Sequence, residues 1–521
     1  MFKWLRNLIR DPAPPRATAD LFGGRGGFQG ARMNRLTEGF NPQAMGANSL
    51  LRMDGAMLRN RARELYRNNP MAKSAIDSWV ANVIETGITP SPKFADVSLR
   101  KTWRETWERW GRRDCDVTRQ SSIYELQALA LSEMLVAGGC LIHHVELPRR
   151  GRVLPYAIEL IQEERFTDQL DRNRENGNAI YSGVEIDGRT GEPVAYWVTR
   201  GDTLDDASGR ASEPMRLPAD QCDYLTIRHM IGQYRGFSAL HSAITWLWAL
   251  GHYTDNELTA SQLKSSWAYM VTTSGDSAED FDWQGLYDSS PDSGTTDIYG
   301  NRIEKHQAGM IWRGAPGDDI KPVGPNMPSM ESLPWIQMLQ RSIAIGTGQT
   351  YEEAFADYSQ GSFASTRASS QSVRRRFRPV QKLVNNHFNS PIWDRFAKSA
   401  VRAGLEGFPA ADEFVADANW LRCEWQPSQW DSVNPIEDSK ADNIDLLNGR
   451  KSLREVVEGR RDLSLEEHLD ELAEEQRMIR AKGIILPTWT EQMQEEMYPD
   501  GQEPKADDQQ SKAKTPARRV A

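Results

Sequence analysis

Two long helical patterns with a small acidic insertion between them constrain this fold more than any other feature. The first pattern covers residues 236–264 and has apolar residues all round its circumference, so a helix about 40 Å long would need neighbours to bury it. The second covers residues 329–345. Between them, residues 274–300 are rich in Asp, Ser and Gly, and residues 309–312 look like a short strand. The first helix is longer than most single globular domains require.

The remaining helical patterns are shorter or lie later in the chain. One covers residues 54–85 and should break or kink at Asn69-Pro70, because the residue before a proline avoids the helical conformation. Another covers residues 368–403. Both alternate apolar and charged positions, as a helix with one buried face does.

A third helix and a strand-rich stretch complete the pattern. Three tryptophans at spacings i, i+4 and i+7 predict one buried helix face: Trp103, Trp107 and Trp110. Residues 154–200 alternate short apolar runs with turns, and Asp187-Gly188 is a hairpin signal. The fold class is therefore predicted to be α+β.

Composition argues against several classes of protein. The 521 residues carry a net charge of −10, so binding of nucleic acid through bulk charge is not expected, although a local basic face remains possible. Four cysteines without CxxC spacing favour a reducing compartment. The sequence has no apolar run of membrane-spanning length. Residues 1–10 form a basic amphipathic segment, expected to dock as a terminal helix, with membrane contact as the alternative. We expect an intracellular, soluble protein.

Enzyme and metal motifs are missing from the sequence. It contains no P-loop, no HExxH, no GxSxG and no metal-spaced Cys/His cluster. The adjacent His143 and His144 are expected in a strand, with one ring buried and one exposed. Glu352-Glu353 is expected to be solvated. The sequence predicts no enzyme activity, no cofactor, and no catalytic or metal-ligating residue.

Arginines cluster within the pattern of residues 368–403. Three consecutive positions of a helix cover about 200°, so consecutive arginines cannot all face one ligand. Salt bridges between helices or subunits are the favoured interpretation, and nucleic-acid contact is the alternative. The clustered residues are Arg374, Arg375, Arg376 and Arg378.

Four segments together resemble the lambda-type family of tailed-phage portal proteins. In order along the chain they are residues 59–76 (RNRARELYRNNPMAKSAI) running into 82–90 (NVIETGITP), residues 232–238 (GQYRGFS), residues 357–367 (DYSQGSFASTR), and residues 430–435 (WDSVNP) followed by the helical residues 453–482. Each segment alone is a weak signal, and four in the right order are a strong one. Such portals usually have a glycine two residues before the equivalent of Gly87, where this sequence has Glu85.

The resemblance implies a portal fold with an α+β wing, long stem helices, a small α/β clip and a helical crown, assembled as a ring that usually has twelve subunits. The implied boundaries are a flexible basic N-terminal arm at 1–50, the wing at 51–235, the first stem helix at 236–265, the clip at 266–326, the second stem helix at 327–348, the channel loop and channel helix at 349–405, a wing return segment at 406–435, the crown at 436–500 and a disordered tail at 501–521.

The resemblance also implies a function and partners. The ring would occupy one capsid vertex in the virion, after assembly in the host cytoplasm, and double-stranded DNA would pass through it during packaging and ejection. The terminase large subunit and a head–tail connector or adaptor would dock on it, and the major capsid or scaffold protein would surround it.

Three sets of site residues follow from the resemblance. Candidate DNA contacts in the channel loop are Tyr358, Ser359, Gln360, Ser362 and Phe363. Candidate inter-subunit or DNA-facing basic residues are Arg367, Arg374, Arg375, Arg376 and Arg378. Candidate motor-docking residues in the clip are Asp276, Glu279, Asp280 and Asp282. The alternatives are another phage head or assembly protein without a DNA channel and, less favoured, an enzyme whose site carries no known motif.

Overall fold

The computed structural model describes residues 39–40, 42–94, 96–147, 151–167, 177–199, 214–272, 310–314, 332–359, 361–428, 430, 434–458 and 465–482. Its helices are α1 (Ala47–Asn68), α2 (Pro70–Val83), α3 (Val97–Gly111), α4 (Ile123–Ala137), α5 (Ile244–Ser266), α6 (Ser332–Gly346), α7 (Tyr351–Phe355), α8 (Phe363–Val384), α9 (Ser390–Arg402), α10 (Ala411–Ala416), α11 (Pro435–Leu447), α12 (Leu453–Glu458) and α13 (Leu465–Lys482).

The strands form small sheets among these helices. They are β1 (Thr89–Pro92), β2 (Gly139–Glu146), β3 (Tyr156–Gln162), β4 (Ala179–Tyr181), β5 (Val184–Ile186), β6 (Pro193–Thr199), β7 (Pro214–Pro218), β8 (Cys222–Thr226), β9 (Trp267–Thr272), β10 (Met310–Gly314) and β11 (Cys423–Gln426). The strand orders are β3-β2-β8, β4-β5-β6-β7, β1-β11 and β10-β9. The mixture of helices with largely antiparallel sheets confirms the α+β class.

The first helical pattern divides at the predicted position. Asn69 ends α1 and begins α2: its side chain accepts hydrogen bonds from the backbone N–H of Met71 at 2.9 Å and of Ala72 at 3.1 Å. Pro70 occupies the first turn of α2, where its missing N–H costs nothing. Because α1 begins at Ala47, the last residues of the expected N-terminal arm, 47–50, are helical.

The tryptophans of α3 form the centre of the main core. Trp103, Trp107 and Trp110 are all 0% exposed. The ring of Trp107 lies 5.5 Å from that of Trp393 and 5.2 Å from that of Phe396, both on α9. The predicted buried face is confirmed, and it joins the N-terminal helices to a helix almost 300 residues later in the chain.

The four-stranded sheet contains the predicted hairpin. Strands β5 and β6 are antiparallel, and between them the Asp187 carboxylate accepts hydrogen bonds from the backbone N–H of Arg189 at 2.6 Å and of Thr190 at 3.1 Å. The connection spans residues 187–192, longer than the two-residue turn that Asp-Gly commonly makes.

The two long helical patterns are present, with one boundary corrected. Helix α5 begins at Ile244 instead of residue 236, because residues 236–243 form turns that bond to the end of α4. There the N–H of Ala239 donates to the carbonyl of Leu135 at 2.8 Å. Helices α5 and α6 contact each other. The predicted strand at 309–312 is β10, which pairs in parallel with β9.

Helices α8 and α9 are continuous through a π-helical turn at Asn385–Asn389. The side-chain oxygen of Asn389 accepts a hydrogen bond from the Gln127 amide at 2.9 Å, and that amide also bonds both backbone groups of Ile88. The predicted helix over residues 368–403 is thus confirmed, with an earlier start at Phe363.

None of the described helices combines the length and the apolar character that crossing a bilayer requires. Residues 1–10 and 501–521 lie outside the described part of the chain, so the expectations about a docking segment and a C-terminal tail are not addressed by it.

Candidate functional site

The segment expected to form the channel loop is shorter than predicted. A loop over residues 357–367 was expected, but α8 begins at Phe363, and Ser362 caps it by accepting a hydrogen bond from the N–H of Ser365 at 3.3 Å. A serine that caps a helix competes well with an extended loop, because it satisfies a backbone donor that would otherwise be unpaired. Phe363 and Arg367 are therefore helix residues.

The remaining loop is held by Asp357. Its carboxylate accepts hydrogen bonds from the Tyr351 hydroxyl at 2.6 Å and from the backbone N–H of Ser359 at 3.1 Å. Hydrogen bonds from Ser359 and Tyr351 lower the pKa of Asp357, so the carboxylate stays charged. Tyr358 points outward, 49% exposed, beside the exposed Ser359. Gln360 and the side chain of Phe363 lie outside the described residues.

The acidic pair before the loop was expected to be solvated, but the structure shows it in contact with other side chains. Glu352 and Glu353 are half-buried, and they accept hydrogen bonds of 3.0 Å from Ser369 and Ser370 respectively. These contacts fasten α7 to the first turns of α8.

The arginine cluster on α8 divides between different contacts. The guanidinium groups of Arg374 and Arg378 lie over the ring of Trp430, at 5.5 and 6.0 Å from its centre. Arg376 donates to the carbonyl of Gly348 at 2.8 Å, and Arg375 is exposed. The expected separation of these residues around the helix is confirmed. Arginine over the face of a tryptophan is a cation–π contact, which the sequence analysis did not predict.

Arg367 forms a salt bridge within the chain. Its guanidinium lies 2.7 Å from the Asp438 carboxylate and 3.5 Å from that of Glu437, both on α11. Arg367 was expected to be an inter-subunit or DNA-facing residue, and within one chain it forms an inter-helix salt bridge instead. The contact ties the start of α8 to the C-terminal helices.

Helices α5 and α6 present large apolar side chains to solvent. Seven of them are between 45% and 74% exposed: Trp246, Trp248, Leu258, Leu333, Trp335, Met338 and Ile345. The opposite faces of the same helices are buried, as Leu247 and Ile343 show at 0% exposure. Large apolar side chains exposed in this number on two neighbouring helices are typical of surfaces that contact a partner.

The clip residues cannot be compared with the structure. Asp276, Glu279, Asp280 and Asp282 lie outside the described residues.

The GQYRGFS segment contains a buried ion pair that sequence reasoning did not find. Arg235 and Glu163 lie 2.7 Å apart with their side chains 4% and 0% exposed. Tyr224 donates its hydroxyl to the same carboxylate at 3.0 Å, and Arg235 also bonds the carbonyl of Ser182 at 3.0 Å. Burial raises the pKa of Glu163 despite the neighbouring Arg235.

The glycine of the same segment has a packing role. A Cβ on Gly236 would lie 1.9 Å from the carbonyl oxygen of Gly138, a distance that no side chain can occupy. Ser238 donates to the carbonyl of Leu135 at 3.3 Å. Residues 232–238 therefore pack tightly against the end of α4.

A second ion cluster lies nearby. Arg63 on α1 donates to Glu133 at 2.6 Å and forms a further ion pair with Glu164. Burial alone would lower the pKa of Arg63, but the two neighbouring carboxylates outweigh it and the pKa is raised. These charges come from three separate elements, and a single sequence holds no signal that joins them.

The two histidines of β2 face opposite sides of the sheet, as predicted. His144 is buried between the Tyr156 hydroxyl and the Asp223 carboxylate, each at 2.7 Å, while His143 lies 3.1 Å from Glu159 and is half-buried instead of fully exposed. Burial lowers the pKa of His144. No group of side chains suited to a metal ion occurs in the described part of the chain.

Comparison with known families decides what these surfaces belong to. Residues 33–381 match the model of the family described as phage portal protein, lambda family. The chain belongs to this family. The resemblance drawn from the four sequence segments is confirmed.

Relatives of this portal protein match along most of their length. The probable portal protein of Halomonas phage phiHAP-1 is 25% identical over 476 residues, covering 88% of each chain. Portal protein B of Escherichia phage lambda is 21% identical over 505 residues, covering 91% of this chain and 92% of its own. Both relatives carry the portal name, and a portal is a structural component of the phage particle and not an enzyme.

Solved structures show a more distant likeness. A chain in the virion of a native gene transfer agent particle aligns with a TM-score of 0.43 and 14% identity, over 78% of this chain and 94% of that chain. A chain from the neck of an empty particle of the same kind, computed with C6 symmetry, aligns with a TM-score of 0.43 and 16% identity, covering 78% and 94%.

Glu85, at the position where the resemblance led us to expect a glycine, has an unusual backbone conformation. Glu85 has φ of 52°, the left-handed conformation that glycine adopts easily, and Gly87 follows with φ of 123°. A glutamate therefore occupies a left-handed backbone conformation, which is strained for any residue other than glycine.

Proposed function

We propose that this portal protein assembles into a closed ring at one vertex of the capsid, and that double-stranded DNA enters and leaves through its bore. Family membership supports the conduit role. The observation that carries the ring is the exposed apolar faces of α5 and α6, because a second copy of the same two helices offers matching apolar surface.

Ring closure explains why these faces stay exposed in one chain. In a cyclic assembly, one side of each subunit meets the other side of the next, so a surface left open on one copy is covered by its neighbour. Burial of side chains such as Trp248 and Trp335 would then stabilise the ring by about 25 cal/mol for each Å² of apolar area covered.

The domain arrangement follows from the same proposal. Residues 51–235 would form the wing, with its start moved to Ala47, and 406–435 would return to it, supported by the pairing of β1 with β11. Helices α5 and α6 would be the stem, and 266–326 the clip, supported by the parallel pairing of β9 with β10. Residues 349–405 would carry the channel loop and helix, and 436–500 the crown.

The loop at residues 356–362 is proposed to face the bore. Tyr358, Ser359, Gln360 and Ser362 offer polar and aromatic contacts of modest strength, and Phe363 starts the helix behind them. A ring repeats each weak contact in every subunit. A net charge of −10 in each copy gives the assembly a negative field that repels phosphates, which would let DNA move without adhering. Arg375, exposed on α8, is the proposed exception.

The clip is proposed to dock the terminase large subunit and later the head–tail connector. Its acidic side chains, including Asp276, Glu279, Asp280 and Asp282, suit a partner with a basic face. Deletion of residues 274–300 should leave rings intact and abolish motor docking. Loss of rings with docking retained by the remaining protomers would contradict this assignment. Capsid or scaffold protein would contact the outside of the ring in the virion.

The ring is tested by particle mass. Light scattering of the purified protein should give about 700 kDa, the mass of twelve chains of 59.0 kDa, and negative-stain images should show a central pore. Trp335→Glu should reduce the mass toward that of one chain. Val415→Glu, at a residue that is also exposed but lies on α10, is the matched control and should keep the ring. A monomer at low and moderate salt would contradict the proposal and favour a head protein without a channel.

The channel loop is tested by DNA content. Tyr358→Ala, alone or with Phe363→Ala, should spare assembly and reduce the DNA retained per particle. Tyr181→Ala, an exposed tyrosine outside the loop, is the control and should leave DNA content unchanged. A large fall in melting temperature with normal DNA in the surviving particles would show that the aromatics of the loop are structural.

A further inference from the structure

Helix α8 presents two arginines whose charge is not neutralised by the described part of the chain. Arg375 and Arg378 are exposed, and neither forms a hydrogen bond or an ion pair with the residues that the structure describes. They lie three positions apart, so their side chains are neighbours on the helix surface. Two like charges at this spacing repel each other, and an anion that lies against both offsets the repulsion.

The ring of Trp430 supports one member of this pair. The guanidinium of Arg378 lies 6.0 Å from the ring centre, and that of Arg374, one helical turn earlier, lies 5.5 Å from it. A guanidinium over an aromatic ring uses its flat face, while its N–H donors point outward in its own plane. Trp430 therefore restricts the movement of Arg378 and leaves its donors available.

Trp430 is itself held by other parts of the chain. Its indole N–H donates to the carbonyl of Asn82, in the last turn of α2, at 3.1 Å. Its ring lies 6.5 Å from that of Phe377, the fully buried residue that precedes Arg378 in α8. The half-buried indole thus has a fixed place between the core and the surface.

We propose that Trp430 is a positioning residue for DNA: it holds Arg378 with its donors outward, so that Arg375 and Arg378 together bind a phosphate of the DNA backbone. The proposal rests on the proposed function, because it requires α8 to face DNA in the bore. It deepens that function by naming the pair that binds phosphate and by giving a role to Trp430, which lies outside α8 in the segment 406–435.

Restricting Arg378 in advance makes a phosphate contact more favourable. A long side chain loses rotational freedom when it binds, and an arginine that is already held on a ring loses less. Arginine also suits phosphate, because two of its N–H groups can bond two phosphate oxygens at once. Contacts to phosphate are independent of base sequence and are weakened by salt, so DNA can pass from one contact to the next.

DNA binding at several salt concentrations tests the positioning role. Trp430→Ala should weaken the binding of linear duplex DNA to the purified ring severalfold and reduce its dependence on salt, because fewer phosphates are neutralised. Trp430→Phe keeps an aromatic face and should bind almost as well as the unsubstituted ring. Trp425→Ala is the matched control: that half-buried indole donates to Ser390 at 3.0 Å, and its loss should leave the salt dependence unchanged.

A double-mutant cycle shows whether Trp430 acts through Arg378. Arg378→Ala should weaken DNA binding by itself, and adding Trp430→Ala should then change the affinity little, since the group that Trp430 positions is gone. An equal loss from Trp430→Ala with and without Arg378 would overturn the proposal. A fall in melting temperature with unchanged affinity and salt dependence would also overturn it, because Trp430 would then be a purely structural residue.

The form of the DNA separates this proposal from the proposed function. A covalently closed circular duplex cannot enter a closed ring, so the loss caused by Trp430→Ala should appear with linear DNA alone. An equal loss with circular DNA would overturn the placement of Arg375 and Arg378 in the bore. Chains of monomer mass would overturn the ring, and the double-mutant cycle of Trp430 and Arg378 would still decide the positioning role.

Discussion

Tryptophans behave in opposite ways in two regions of this portal protein. In the body, Trp103, Trp107 and Trp110 are fully buried against helices from distant parts of the chain. On α5, which we propose as part of the stem, Trp246 and Trp248 are 47% and 62% exposed. The body completes its core within one chain, whereas α5 leaves large apolar side chains exposed, which the proposed ring would cover.

The spacing of the residues already distinguishes the two regions. The α3 tryptophans recur at i, i+4 and i+7, so they share one face and can all be buried by one neighbour. Trp246 and Trp248 are two residues apart and point to different sides of α5. A helix with apolar residues on several sides needs several neighbours, and among the residues that the structure describes α5 meets only α6, the body and the adjoining strand β9.

The largest expected effect separates a body tryptophan from a stem tryptophan. Trp107→Ala should lower the free energy of unfolding by about 3–5 kcal/mol, because it removes a fully buried indole. Trp248→Ala should change it by less than about 0.5 kcal/mol in the monomer and reduce the fraction of rings. Urea unfolding and light scattering measure the two quantities. Equal losses of stability would remove the distinction between the regions.

A second comparison uses charge. Arg235→Met should cost about 3 kcal/mol or more, since it leaves the buried carboxylate of Glu163 without its partner. Arg402→Met breaks the ion pair between Arg402 and Glu146, whose two side chains are 67% and 75% exposed respectively. The loss in free energy of unfolding should be less than about 1 kcal/mol. The measurement is again urea unfolding at neutral pH. A small effect for Arg235 would mean that the body tolerates an unpaired charge.

The third prediction concerns pH and the four-stranded sheet. Glu185 is desolvated, which opposes ionisation, but hydrogen bonds from Arg216, Asn178 and Trp197 prevail and lower its pKa from 4.5 to about 2. A carboxyl with a depressed pKa stabilises the fold above pH 4.5, and this stability is lost as pH falls toward 2.

Glu185→Gln should therefore cost about 1–3 kcal/mol at neutral pH and flatten the acid side of the stability profile. Glu192→Gln, at an exposed position next to the same sheet, is the control and should leave the profile unchanged. Thermal melts at a series of pH values would show it. An unchanged acid slope for Glu185→Gln would mean that other carboxyls govern acid unfolding.

The smallest expected effect is a gain in stability. Glu85→Gly should stabilise the fold by up to about 1 kcal/mol, because glycine adopts the left-handed backbone without strain while the more flexible unfolded chain offsets part of the gain. Glu85→Ala keeps the positive φ and should not stabilise. Thermal melts of the two variants compare them directly, and a loss with glycine would show that the glutamate side chain outweighs its strained backbone.

Local patterns predicted most of the helices, the tryptophan face and the break at Asn69, because periodicity and caps are written in neighbouring residues. They failed where a distant contact decides the outcome. Residues 236–243 look helical in isolation, but Gly236 fits closely against Gly138 and draws the segment away from a helix. The paired Arg235 and Glu163 are 72 residues apart in sequence, and no local pattern connects them.

The candidate site was predictable to a similar extent. The resemblance placed the expected channel loop at residues 357–367, and the structure ends the loop before Phe363, because Ser362 caps α8. The arginine cluster was divided by Trp430, which is more than 50 residues away in sequence and was not considered as its neighbour. The apolar residues on several sides of α5 were implied by the pattern of residues 236–264, although their exposure required the structure.

The π-helical turn at Asn385–Asn389 sets the phase between the two halves of the long helix. A π turn amounts to one residue inserted into an α-helix, and one residue corresponds to a rotation of about 100°. Because of this extra residue, the side chains of α8, which carries the arginines, and those of α9, which packs in the core, do not follow one uninterrupted α-helical repeat. Deleting a single residue from this turn would leave the sequence of α8 unchanged, yet would rotate all of its arginines together by about 100° relative to α9.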